Sequence, residues 1–173
     1  MTDPQARVND NYREEIRKEG ERIHESATYA SETQYEYAKR WRRVDRIIGG
    51  AAAAIAAIAG VGGLSNILSA RWAGLIAIVA AGLGAVAASL GAPQTKEKAA
   101  IAATAYRALQ QDARIFLNID LPTLTEEEAR EQLKELVSRS HQLNRESALP
   151  SDSAWRKAKA RIETGAQRYE ADK

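Results

Sequence analysis

The residues able to do chemistry are mostly cations, and they are clustered. Lys39, Arg40, Arg42, Arg43 and Arg46 surround Trp41 within eight positions. Such a group suits the headgroup region of a bilayer, where Lys and Arg meet anionic lipid and an indole anchors at the interface. The same cluster serves equally well as a plain determinant of membrane topology. Arg71 with Trp72 forms a second, smaller group, and Lys96 with Lys98 a third. The carboxylates are a weaker lead. Glu126, Glu127 and Glu128 follow Thr125 and read as a capping box with acids in the first helical turn, not as a catalytic set. His24 and His141 are the only histidines, too few for a histidine metal cluster. The absence of cysteine excludes disulfides, thiolate catalysis and cysteine metal sites. Gly60, Gly62 and Gly63 make no phosphate loop, because they sit in an apolar run without a nearby lysine. No enzyme, metal or cofactor is expected, and a net charge of +2 does not suggest a nucleic-acid binder.

The elements that position these cations are defined by charge. Residues 1–46 hold ten basic and ten acidic side chains, and residues 96–173 hold fourteen and thirteen. Between them Ile47–Ala70 and Trp72–Thr95 carry no charge at all, and only Arg71 separates the two runs. This pattern predicts two membrane-crossing helices, 47–64 and 73–92, joined by a tight turn, each near the minimum needed to cross ~30 Å of hydrocarbon. Lys39 to Arg46 before the pair and Lys96 and Lys98 after it, against Arg71 alone at the tip, place both termini in the cytoplasm. The runs start too far from the N-terminus for a cleavable signal peptide, so the cytoplasmic membrane is the expected location.

The flanks predict long helices. In the first arm, residues 1–46, the positions Ile23, Ala27, Ala30, Gln34, Tyr37, Trp41, Val44 and Ile48 alternate four and three apart. No breaker but Gly49–Gly50 separates this arm from the first span, so one nearly continuous helix is expected. Residues 93–173 predict three helices. The first runs from about Lys96 to Leu117 with Ala102, Tyr106, Leu109, Ala113 and Phe116 on one face, ending in a break around Pro122. The second starts after Thr125 with Ala129, Leu133, Leu136, Ser140 and Leu143 on one face. The last starts near Ser153 and presents Trp155, Ala158, Ile162 and Tyr169. The expected fold is thus an all-α membrane protein: a two-helix transmembrane hairpin continuous with long cytoplasmic helices that form a bundle.

The spans are built of small residues. The first holds seven alanines and five glycines. Gly50, Ala53, Ala57 and Gly60 share one stripe there, and Ala77, Ala81, Gly84, Ala88 and Gly91 share another in the second span. Small stripes let helix backbones approach closely in lipid. They either close the hairpin on itself or also join several subunits. Two spans cannot surround an aqueous path, so a channel here requires a homo-oligomer. Its wall would be small and apolar, with Ser65, Asn66, Ser69, Arg71 and Ser89 as the polar groups near its ends. Such a pore gates by wetting and drying, with little ion selectivity.

Three passages in this order resemble the SLATT proteins, bacterial two-span effectors associated with nucleotide-second-messenger defence operons. They are Tyr37–Arg43 (YAKRWRR) entering the first span, Ala105–Leu109 (AYRAL) followed by Ala113–Pro122 (ARIFLNIDLP), and Leu143–Ser147 (LNRES) before the last helix. The resemblance implies an oligomeric effector that forms a pore or perturbs the inner membrane in anti-phage, abortive-infection defence. It also implies a trigger acting through the cytoplasmic helices, from a nucleotide second messenger or a neighbouring sensor protein. It supplies no catalytic residue. The alternatives are a membrane-anchored helical scaffold that recruits a cytoplasmic partner and conducts nothing, and a soluble bundle in which the apolar hairpin is buried.

Overall fold

The computed structural model describes residues 4–64, 70–89 and 91–165, with side chains described at 11–58, 71–72, 74–86, 89 and 91–165. The fold is all-α, with no strand among the described residues. Helix α1 runs from Pro4 to Leu64, α2 from Ala70 to Ser89, α3 from Ala92 to Ile115, α4 from Glu126 to Glu146 and α5 from Asp152 to Glu163. The 61 residues of α1 pass through Gly49–Gly50 without a break. Two glycines cost a helix about 1 kcal/mol each relative to alanine, too little to interrupt one this long.

The chain divides into two compact units. One comprises Met1–Tyr37 with Lys98–Lys173, the other Ala38–Glu97. The second unit holds both charge-free runs, with the nine residues 38–46 before them and the two residues 96–97 after them.

The first unit has an ordinary apolar core. Ile16, Ile23 and Ala27 of α1 meet Leu109 and Ala113 of α3, together with Phe116, Leu121 and, from α4, Ala129 and Leu136. The expected α3 stripe, Ala102 to Phe116, is buried at every position. On α4, Ala129 and Leu136 are buried and Leu133 and Leu143 pack partly against the core. Gly20 allows close approach: a Cβ there would lie 2.8 Å from Leu117 Cδ2 and 3.3 Å from Phe116 Cε1, so the Leu117 side chain would have to shift.

The break expected from Asn118 is shorter than the sequence suggests. After Ile115 the chain makes a π-helical turn, Phe116–Asp120, closed by the Leu121 N–H donating to Phe116 O at 2.8 Å. The widened turn lets both Phe116 and Leu121 enter the core. Thr125 then caps α4. Its hydroxyl accepts from Glu128 N at 3.4 Å, and Glu128 Oε2 accepts from Thr125 N at 2.9 Å. This is the reciprocal arrangement expected from the sequence.

The α5 face differs from expectation. Ala154 and Ala158 are buried, Ile162 is half-buried and Trp155 is exposed; Tyr169 lies outside the described residues. Two alanines allow close packing, whereas the bulky indole lies outward with Lys159 Nζ 5.4 Å from its ring centroid.

The second unit holds the hairpin. Half-buried positions on α1 are Trp41, Val44, Asp45, Ile48, Ala52 and Ile55, and on α2 Ile76, Ala80 and Leu83. Each set recurs at three and four residues, marking a single inward stripe per helix. Gly91 takes φ +55°, a left-handed conformation that ends the helical path after α2, and Thr95 N–H donates to its carbonyl at 2.9 Å as α3 begins. Within the second run α2 is described to Ser89 and Gly91 turns the chain before Ala92, while Leu90 lies outside the described residues. Lys96 Nζ sits 2.9 Å from Asp45 Oδ2, tying α3 to α1. Among the described residues no helix is long and apolar enough to cross a membrane. The two expected spans depend in part on residues 59–70, 73, 87, 88 and 90, whose side chains lie outside the described residues.

Candidate functional site

The candidate site is the surface of the hairpin unit and the cations at its ends. Seven large apolar side chains there, Ile47, Ile58, Trp72, Leu75, Ile78, Val79 and Val86, are each more than half exposed, reaching 69% at Ile47 and 71% at Ile78. Full burial of one such side chain is worth about 1.5–3 kcal/mol. Leaving seven mostly in water forgoes on the order of 10 kcal/mol, comparable with the whole stability of a domain. A surface of this kind calls for a cover, and an extended apolar patch marks a membrane or protein contact.

Six of the nine small-stripe residues belong to the same outward surface. Gly50, Ala53, Ala57, Ala77, Ala81 and Gly84 are all exposed, and the inward stripes use other positions. A Cβ added at Gly50 or Gly84 would meet nothing within 4 Å among the described residues. Gly91 is half-buried in the turn before α3. Gly60, Ser65, Asn66, Ser69 and the side chain of Ala88 lie outside the described residues.

The cations frame this surface in sequence, and all but Lys96 are solvent-facing. Lys39, Arg40, Arg42, Arg43, Arg46, Arg71 and Lys98 are exposed, while Trp41 and Lys96 are half-buried. Trp72 is 63% exposed at the start of α2. The two indoles thus differ: Trp41 belongs to the inward stripe of α1, and Trp72 projects from the hairpin.

A polar belt in the other unit was not foreseen. Thr28, Ser31, Glu32, Thr33, Gln34 and Glu36 are all buried along α1. Three hydroxyls are satisfied within the helix: Thr28 donates to His24 O at 2.8 Å, Ser31 to Thr28 O at 2.9 Å and Thr33 to Tyr29 O at 2.6 Å. Gln34 Nε2 donates to Ala148 O at 2.9 Å, holding the α4–α5 connection. Arg161 of α5 reaches Glu32 Oε2 at 3.1 Å and Glu36 Oε1 at 3.0 Å. The i, i+4 spacing of Glu32 and Glu36 was legible in the sequence, but its partner lies 125 residues away.

His24 sits beside this belt. Burial pushes its pKa below the usual histidine value, the nearby Arg114 charge acts the same way, and Glu25 opposes them. Among the described residues no group of three or more His, Asp or Glu is placed to hold a metal ion. No family model, no curated protein and no solved structure matches this chain.

Proposed function

We propose that the protein is an oligomeric membrane effector. Its hairpin inserts into the bacterial inner membrane with both termini cytoplasmic, and several copies form a pore or perturb the bilayer in anti-phage, abortive-infection defence. The observation that carries the reading is the hairpin surface: large apolar side chains and a glycine–alanine stripe face outward together, between basic flanks. Lipid would cover the large side chains, and the small stripe would let copies approach one another. The defence role rests on the resemblance of the three passages to SLATT proteins. The helical unit would receive the trigger, from a nucleotide second messenger or a neighbouring sensor protein.

Reconstitution tests the reading directly. The full chain, placed in liposomes loaded with a self-quenched dye and in planar bilayers, is expected to release dye and to show poorly selective conductance. Conductance and release should both need several copies per vesicle. Retained dye and a silent bilayer, from a chain that resists carbonate extraction from cell membranes, would remove the pore and leave the anchored scaffold. Extraction by carbonate would remove the membrane reading itself.

A further inference from the structure

A groove of about 550 Å³ lies between the first described turns of α1 and one face of α4. Tyr12, Ile16, Leu133 and Val137 make its apolar floor. Ile16 belongs to the buried core, and Leu133 and Val137 pack partly against that core, so the floor is the place where the core opens to solvent. The charges around it are not balanced. Glu15 is held by Lys18 at 2.8 Å, and Lys134 by Glu131 at 2.6 Å. Arg130 and Arg145 also line the groove and enter no ion pair among the described residues. The uncommitted charge is therefore positive at both ends.

The shape of the lining says what fits. Arg130, Leu133, Val137, His141 and Arg145 recur at three and four residues along α4, so they share one face for four turns. From Arg130 to Arg145 that face spans roughly 22 Å at 1.5 Å per residue. An apolar strip with a cation at either end, running the length of a helix face, matches an amphipathic helix laid alongside.

We propose that this groove docks an acidic amphipathic helix of a partner protein. The apolar face of the partner covers Tyr12, Ile16, Leu133 and Val137. Carboxylates near its two ends pair with Arg130 and Arg145, whose planar guanidinium groups suit two-point contacts with a carboxylate. The inference is independent of the membrane reading, since every residue it uses lies in the helical unit.

The chain has no cysteine, so Ser138→Cys gives one attachment point in the groove for an environment-sensitive bimane. The labelled full chain, in lipid nanodiscs if it resists carbonate extraction and in plain buffer if it does not, is titrated with synthetic helical peptides of about five turns. One carries leucines along a single face and glutamates elsewhere, a second replaces the glutamates with lysines, and a third scrambles the acidic peptide. The first is expected to shift the emission saturably, with at least tenfold weaker responses to the other two. Arg130→Glu with Arg145→Glu is expected to exchange the preference, so that the lysine peptide binds tighter. Arg130→Gln with Arg145→Gln should abolish the preference without reversing it; all four changes are at exposed positions. Equal binding of the scrambled peptide, or a preference that survives charge reversal, would overturn the proposal. So would saturation by laurate with no response to any peptide, which assigns the groove to a small amphiphile. A response that follows protein concentration alone, unaffected by peptide, would assign it to a second copy and equally end the proposal.

Discussion

Arg161 joins two carboxylates that the apolar pattern of α1 gives no reason to bury. Its side chain is 41% exposed, while those of Glu32 and Glu36 are 9% and 7% exposed. It also stacks near Tyr35, 5.5 Å from the ring centroid. Breaking a fully buried pair costs about 3–5 kcal/mol, and an exposed pair about 1 kcal/mol or less. The half-solvated guanidinium places Arg161→Ala between these, at about 1–3 kcal/mol. The expected readout is roughly ten- to hundredfold faster amide exchange in α5, with partial recovery in Arg161→Lys. Unchanged exchange would mean that Ala154 and Ala158 hold α5 unaided. His24 adds a pH dependence. Its folded pKa lies below the unfolded value of about 6.5, so the unfolded chain takes up the proton first. Stability is complete above that value and falls as pH drops from it through the lower folded pKa. His24→Gln should flatten the acid side of the stability profile from about pH 6.5 downward. An unchanged profile would show that other groups set it.

At the scale of elements, α4 is the helix whose ends and face were most legible. Its start depends on Thr125 and Glu128, whose reciprocal bonds hold the Glu128 carboxyl below its usual pKa, the Thr125 hydroxyl being the larger cause. Thr125→Ala is expected to cost about 1 kcal/mol and to fray the first turn, seen as faster exchange at Ala129 and its neighbours. The bonds to the charged carboxylate are present above the ordinary glutamate range and are lost as pH falls through the lowered value, so the wild type should fray there in acid. α5 shows the opposite case. Trp155 is its largest apolar side chain and invites an inward reading, yet Ala154 and Ala158 face the core. The choice follows from distance: only small side chains bring α5 near enough for Arg161 to reach α1. The π-helical turn at Phe116–Asp120 was illegible for a related reason. Nothing in those residues specifies an added residue per turn; the gain is that Phe116 and Leu121 both reach the core.

At the scale of the molecule, the hairpin unit is apolar outward, which inverts the usual rule for a chain in water. The stripe of small residues gives a test that separates assembly from folding. Gly50→Leu and Gly84→Leu add side chains where no neighbour lies within 4 Å among the described residues. Both variants should keep wild-type helix content and a wild-type melting profile in nanodiscs, while the oligomer in detergent and the dye release fall at least tenfold. Loss of helix content would show instead that these glycines serve packing within one copy. Gly20→Leu is the control of opposite sign, since overpacking against Leu117 and Phe116 should destabilise by about 1–3 kcal/mol.

The sequence alone determined the helical class, the two charge-free runs, the α3 and α4 core faces and the capping box. Each depends on spacing or on partners within a turn or two, which a linear pattern records. The tertiary structure alone decided that Gly50, Ala53, Ala57, Ala77, Ala81 and Gly84 lie outward while Ile48, Ala52, Ile55, Ile76, Ala80 and Leu83 turn inward. It also decided that two carboxylates of α1 meet Arg161, and that a basic-ended groove opens between α1 and α4. The reason is the same in each case. A helical period shows which residues share a face, but which face meets which neighbour depends on contacts between segments far apart in the chain, and those exist only once the chain has folded.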